Sequence, residues 1–126
     1  MDVSSTDLFG LAERKLGWLE DRQRVLAQNV ANADTPKYQP RDEQPFASAL
    51  SAFTITPVHT NPMHMSASGA EPGVVRVNSN GRSPDGNQVS VETEMTKVAD
   101  TDNQQRFVTN LYSKYMAMFA TALGKG

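Results

Sequence analysis

The chain has 126 residues, with 12 Lys and Arg against 14 Asp and Glu and no cysteine. That length holds a single domain, the missing cysteines exclude disulfides, zinc–thiolate sites and thiol chemistry, and the near-neutral, sign-mixed charge carries no nucleic-acid footprint. Leu, Ile, Val and Phe make up about a fifth of the chain and mean hydropathy is −0.50, so core-forming residues are scarce.

The longest apolar run, Tyr115 to Ala120, falls far short of a membrane span. The N-terminus has no basic start followed by an apolar stretch, so no cleavable signal peptide is expected. All prolines fall between residues 36 and 84. Proline lacks an N–H and clashes with the preceding helical turn. The expected plan is therefore an N-terminal helix within 1–35, an irregular middle at 36–89, and a C-terminal helix within 90–126. The fold class is mainly α: two long terminal helices form an antiparallel, coiled-coil-like pair, and the middle contains at most a short β-hairpin.

The first helix is predicted from about Ser5 to Ala33. Ser4 and Asp7 stand at capping-box spacing, and Pro36 pushes Thr35 out of helical conformation. Leu8, Ala12, Leu16, Leu19, Leu26, Val30 and Ala33 make one stripe, and Leu11, Trp18 and Val25 a second beside it. Together they cover an arc of roughly 200°, wider than the ~100° needed to dock on one core. Gly10 and Gly17 weaken the early turns by up to ~1 kcal/mol each relative to alanine.

In the middle, Phe53 to Thr56 and Val74 to Val77 are short strand candidates among turn signals at Asn80-Gly81 and Pro84 to Asn87. The last helix is predicted from Val91 to about Leu123, with Ser90 as N-cap, Glu92 and Glu94 at its positive end, and Lys125 beyond Gly124. Val91, Met95, Val98 and Ala99 share one face. A wholly polar stretch, Asp100 to Arg106, follows. Then Phe107, Val108, Leu111, Tyr112, Tyr115, Met118, Phe119 and Ala122 form a wide stripe turned roughly 100° away. Its halves face different neighbours, or the helix bends. The larger side chains of the stripes on both helices are the expected assembly interface, because the thin middle cannot wrap them.

Residues that could carry chemistry have plainer explanations. His59 and His64 flank a proline-containing segment and lack further ligands nearby, so they read as loop histidines and not a metal pair. Glu92, Glu94, Asp100 and Asp102 read as solvated helix acids. No nucleophile elbow or phosphate-cradling glycine loop is present. No catalytic residue and no cofactor is expected. On the helices, Glu13, Glu20 and Asp21 alternate with Arg14, Lys15, Arg22 and Arg24. That mixture suits protein partners better than a lipid surface, which favours a basic polar face. On residues alone, a helical binding module or export cofactor remains an alternative to a polymer subunit.

The segment Asn29-Val-Ala-Asn32-Ala33-Asp34-Thr35-Pro36-Lys-Tyr38 resembles the signature of the flagellar axial protein family, which includes rod, hook and hook-associated proteins. Asp85 to Met95 opening the last helix, Pro45 to Leu50, and Pro62 to Met65 extend the likeness over nearly the whole chain. Lys37 stands where the family usually has glycine. The short length is similar to that of proximal-rod members. The resemblance implies a non-enzymatic structural subunit of the flagellar basal-body rod in the periplasm, needed for motility and exported by the type III apparatus without a cleaved signal. It implies as partners other rod proteins, neighbouring copies of the chain, a FliE-like adaptor, the MS ring and the export gate. Phe46 and Leu50 resemble the short motif by which early substrates are recognised at that gate.

Overall fold

Ala, Leu, Glu, Arg and Gln dominate the N-terminal segment, and no proline interrupts it before residue 36. These residues lose little side-chain freedom in a helix. The computed structural model describes residues 3–54, 74–76 and 88–124, and there the segment forms α1, Val3–Ala31. The helix starts two residues before the expected Ser5, so Ser4 and Asp7 lie within its range. It also stops before the expected Ala33. The Asn32 side chain donates to the Gln28 carbonyl at 2.8 Å, and the Ala33 N–H turns to the Val30 carbonyl at 3.2 Å. These bonds satisfy carbonyls that a helix end otherwise leaves open.

The Thr35 carbonyl then accepts from the Tyr38 N–H at 3.3 Å, around Pro36 and Lys37. Lys37 has a φ of +64°. Proline second and a left-handed residue third is the pattern of a type II turn, which favours glycine at the third position. Lysine there costs roughly 1–2 kcal/mol.

The turn delivers strand β1, Arg41–Glu43, which pairs antiparallel with β2, Val74–Arg76. Val74 to Arg76 was an expected strand, but its partner was not. Arg-Asp-Glu has no apolar alternation, and its placement comes from side chains of α1. Helix α2, Phe46–Thr54, follows. Phe53 and Thr54, expected to open a strand, instead end this helix. The run Phe-Ala-Ser-Ala-Leu-Ser-Ala favours helix by propensity, and the Pro45 carbonyl starts it by accepting from the Ser48 and Ala49 N–H groups at 2.9 and 3.1 Å. The middle therefore contains a helix as well as the small sheet. Ile55, Thr56, His59, His64, the Pro62 to Met65 segment, Val77, the turns at Asn80-Gly81 and Pro84 to Asn87, and Lys125 lie outside the described residues.

Helix α3 runs uninterrupted from Val91–Ala122 through the polar stretch at 100–106. The Ser90 hydroxyl accepts from the Thr93 N–H at 3.4 Å at its start, and Gly124, with φ +70°, follows its end. At 1.5 Å per residue, α1 and α3 are about 44 and 48 Å long. Phe9 meets Tyr112, Arg22 meets Asp100, and Asn29 meets Glu94. Positions rise on one helix as they fall on the other, so the pair is antiparallel.

The core occupies one end of this pair. Among the described residues, its buried aliphatic side chains are Leu19, Val25, Leu26 and Ala33 of α1 and its exit, with Pro40 beyond the turn. There β1 and the turn cover the helices. Toward the start of α1 and the end of α3, the pair stands without a third layer among the described residues. Phe9 closes that end edge-on against the rings of Tyr112 and Phe119, at centroid distances of 5.3 and 6.4 Å.

Candidate functional site

Two segments far apart in sequence, Asn29 to Tyr38 and the Glu92 to Met95 opening of α3, meet at the covered end. Asn29 is completely buried. Its Nδ2 donates to the Arg41 carbonyl at 2.6 Å and to Glu94 Oε2 at 2.8 Å. Its Oδ1 accepts from the Arg41 N–H at 3.0 Å and from the Tyr38 hydroxyl at 3.2 Å. An asparagine side chain has two donor protons and two acceptor lone pairs, and all four are used. One side chain thus ties α1 to the turn, to β1 and to α3.

Glu94, expected among solvated acids, is 3% exposed. Its second oxygen receives Lys97 Nζ at 3.4 Å, and Lys97 also lies 3.7 Å from Asp42. Asp42 takes a two-pronged contact from Arg22, Nε to Oδ1 at 2.9 Å and Nη2 to Oδ2 at 3.1 Å. Such forked pairs are among the stronger charge-assisted bonds. Arg22 is also 3.8 Å from Asp100. The bond from Arg22 to Asp42 holds the guanidinium above its ordinary pKa, although burial opposes this. Burial pushes the Glu43 carboxyl up, with Asp21 and Asp42 adding to the effect and Arg24 opposing it.

Thr101, inside the polar stretch, is fully buried and satisfies its hydroxyl on the Lys97 carbonyl at 2.7 Å. The face of α3 that meets α1 therefore runs through Glu94 and Thr101, one heptad apart, and not through Val91 and Met95, which are exposed.

A second cluster fixes the start of α2. Trp18 Nε1 donates to the Gln44 carbonyl at 2.8 Å, and its ring meets Phe46 edge-on at 5.9 Å. Lys15 Nζ sits 4.3 and 4.7 Å from the two ring centroids. Burial lowers the Lys15 pKa, as does neighbouring Arg22, while Asp100 acts in the opposite direction.

The remaining expected residues divide by environment. Within the signature, Ala33 is buried, Asn32 and Tyr38 are half-buried, and Asp34, Thr35 and Pro36 are exposed. Leu19, Val25 and Leu26 are enclosed by the chain itself. Leu16, Trp18, Val30, Val98, Val108 and Tyr112 are half-buried. Leu8, Leu11, Met95, Phe107, Leu111, Tyr115, Met118 and Phe119 are exposed, with Phe107 at 66% and Met118 at 60%. Phe46 and Leu50, one helical turn apart on α2, are half-buried. Sequence reasoning missed Phe9 and Thr101, and misjudged Glu94. Phe9 stands seven residues before Leu16, a spacing that marks one helical face.

No family model matches the chain. The flagellar basal body rod protein FlgB of Agrobacterium fabrum is 36% identical, with 88% of each chain covered. The chain belongs to the FlgB family of flagellar basal body rod proteins. FlgB of Salmonella typhimurium is 37% identical over 82% of this chain and 83% of its own, and FlgB of Escherichia coli 32% identical over 83% and 84%. In this FlgB-family chain, the segment from Asn29 to Tyr38 builds the junction with β1 and α3. No described helix is long and apolar enough to cross a membrane.

Proposed function

We propose that the chain is a structural, non-catalytic subunit of the proximal rod of the flagellar basal body, built into the shaft through its two terminal helices. The observation that carries this reading is the exposed apolar surface at the open end of the helix pair. Phe107 and Met118 on α3 are mostly exposed there, and Leu8 and Leu11 on α1 and Leu111, Tyr115 and Phe119 on α3 are partly so. Large contiguous apolar surfaces mark interaction sites. Burying them against neighbouring subunits gains about 0.8 kcal/mol per methylene, repeated at every subunit. Family membership supports the rod as the place where this occurs.

Further partners belong to the same proposal: copies of the chain, other rod proteins, a FliE-like adaptor and the MS ring. The export gate is included, with Phe46 and Leu50 as its recognition motif. The Phe46 contact with Trp18 makes that motif more accessible in an unfolded export substrate than in the folded subunit. Basal bodies imaged from cells lacking the chain test the placement. Structures ending at the inner-membrane ring are expected, and complete rods would contradict it.

A further inference from the structure

Lys37, Arg41 and Arg76 converge on one cleft of about 360 Å³, completed by Tyr38 and Gln39. All three cations are exposed, and none makes an ion pair with a carboxylate among the described residues. Two features make this arrangement unfavourable in the isolated chain. Arg41 and Arg76 are direct cross-strand partners, and like charges opposite one another destabilise a sheet. Lys37 occupies a left-handed position, φ +64°, that favours glycine. Local conflict of this kind collects at functional positions. The cleft is also preformed, because Asn29 bonds both Arg41 backbone groups and the Tyr38 hydroxyl.

We infer that this cleft binds carboxylate side chains of an acidic protein segment. Two guanidiniums and an ammonium around one opening match several carboxylates, which arginine engages through paired N–H groups. The lining is polar apart from the Tyr38 ring, whereas small-molecule pockets are predominantly apolar. The inference stands on these charges alone and does not depend on the rod placement.

The test uses the purified full chain and a fluorescent hexaglutamate peptide at low ionic strength. Saturable binding that weakens with added salt is expected. Lys37→Gly relieves the turn while removing a cation, and Arg76→Gln removes the cross-strand repulsion, so both variants stay folded. Each is expected to weaken binding about threefold, and the triple variant with Arg41→Gln about tenfold or more. Lys114→Gln, on the distant part of α3, is expected to leave it unchanged. No binding by the wild type, equal binding by the cleft variants, or displacement of the peptide by an equal concentration of inorganic phosphate would each overturn the inference.

Discussion

Asn29 shows how much of the organisation rests on single polar groups. Removing its amide leaves the Arg41 N–H and carbonyl, the Tyr38 hydroxyl and Glu94 short of a partner at once. Each buried group left unsatisfied costs about 1–3 kcal/mol. Asn29→Ala is therefore expected to lower stability by about 3 kcal/mol, measured by urea denaturation, and a loss under about 1 kcal/mol would contradict the four-bond arrangement. The motif around Asn29 was legible from sequence, but its bonds were not: the Asn29 partners lie up to 65 positions away. Glu94 was misread for the same reason, since an acid in the first turn of a helix looks solvated until a donor arrives from elsewhere. Glu43 carries the pH dependence. Its carboxyl binds its proton more tightly when folded, so its contribution to stability is fully present below the ordinary glutamate value of 4.5 and is lost as pH rises through the raised folded value. Melting temperature followed across that window is expected to fall relative to Glu43→Gln. Parallel curves for the two proteins would exclude the effect.

At the scale of elements, the terminal helices were readable because proline exclusion and apolar periodicity are local signals. The middle was less so. Arg41–Glu43 has no strand pattern of its own and is placed by Asn29 and Arg22, while α2 shows that alanine and leucine content outweighs the strand preference of Phe53 and Thr54. Gly17 sits mid-helix, and a Cβ built there meets nothing within 4 Å. Gly17→Ala is expected to stabilise the isolated chain by up to ~1 kcal/mol through helix propensity, visible as raised helicity by circular dichroism. If a neighbouring subunit packs over this exposed position, the same variant slows rod assembly. A variant no more helical than wild type would show that α1 is held by contacts that propensity does not reach.

Across the whole molecule, the scarcity of core residues becomes an uneven distribution. Leu19, Val25, Leu26 and Ala33 close one end, around a polar junction, while Phe107, Leu111, Tyr115 and Met118 stay uncovered at the other. The wide stripes forecast surplus apolar surface; they did not show that Leu19, Val25 and Leu26 of α1 are enclosed while Phe107 and Met118 of α3 stay mostly exposed. That division separates folding from assembly. Phe107→Asp and Met118→Asp alter residues that are mostly exposed, so both variants are expected to keep wild-type stability to within about 0.5 kcal/mol. Both place a charge where a neighbour has to bury it. The most direct measurement is electron microscopy of basal bodies from cells expressing either variant, beside a check that the purified chain retains wild-type helicity. Folded protein with rods absent or truncated is the expected result. Normal rods in both variants would contradict the proposal that the uncovered stripe of α3 joins the chain to its neighbours.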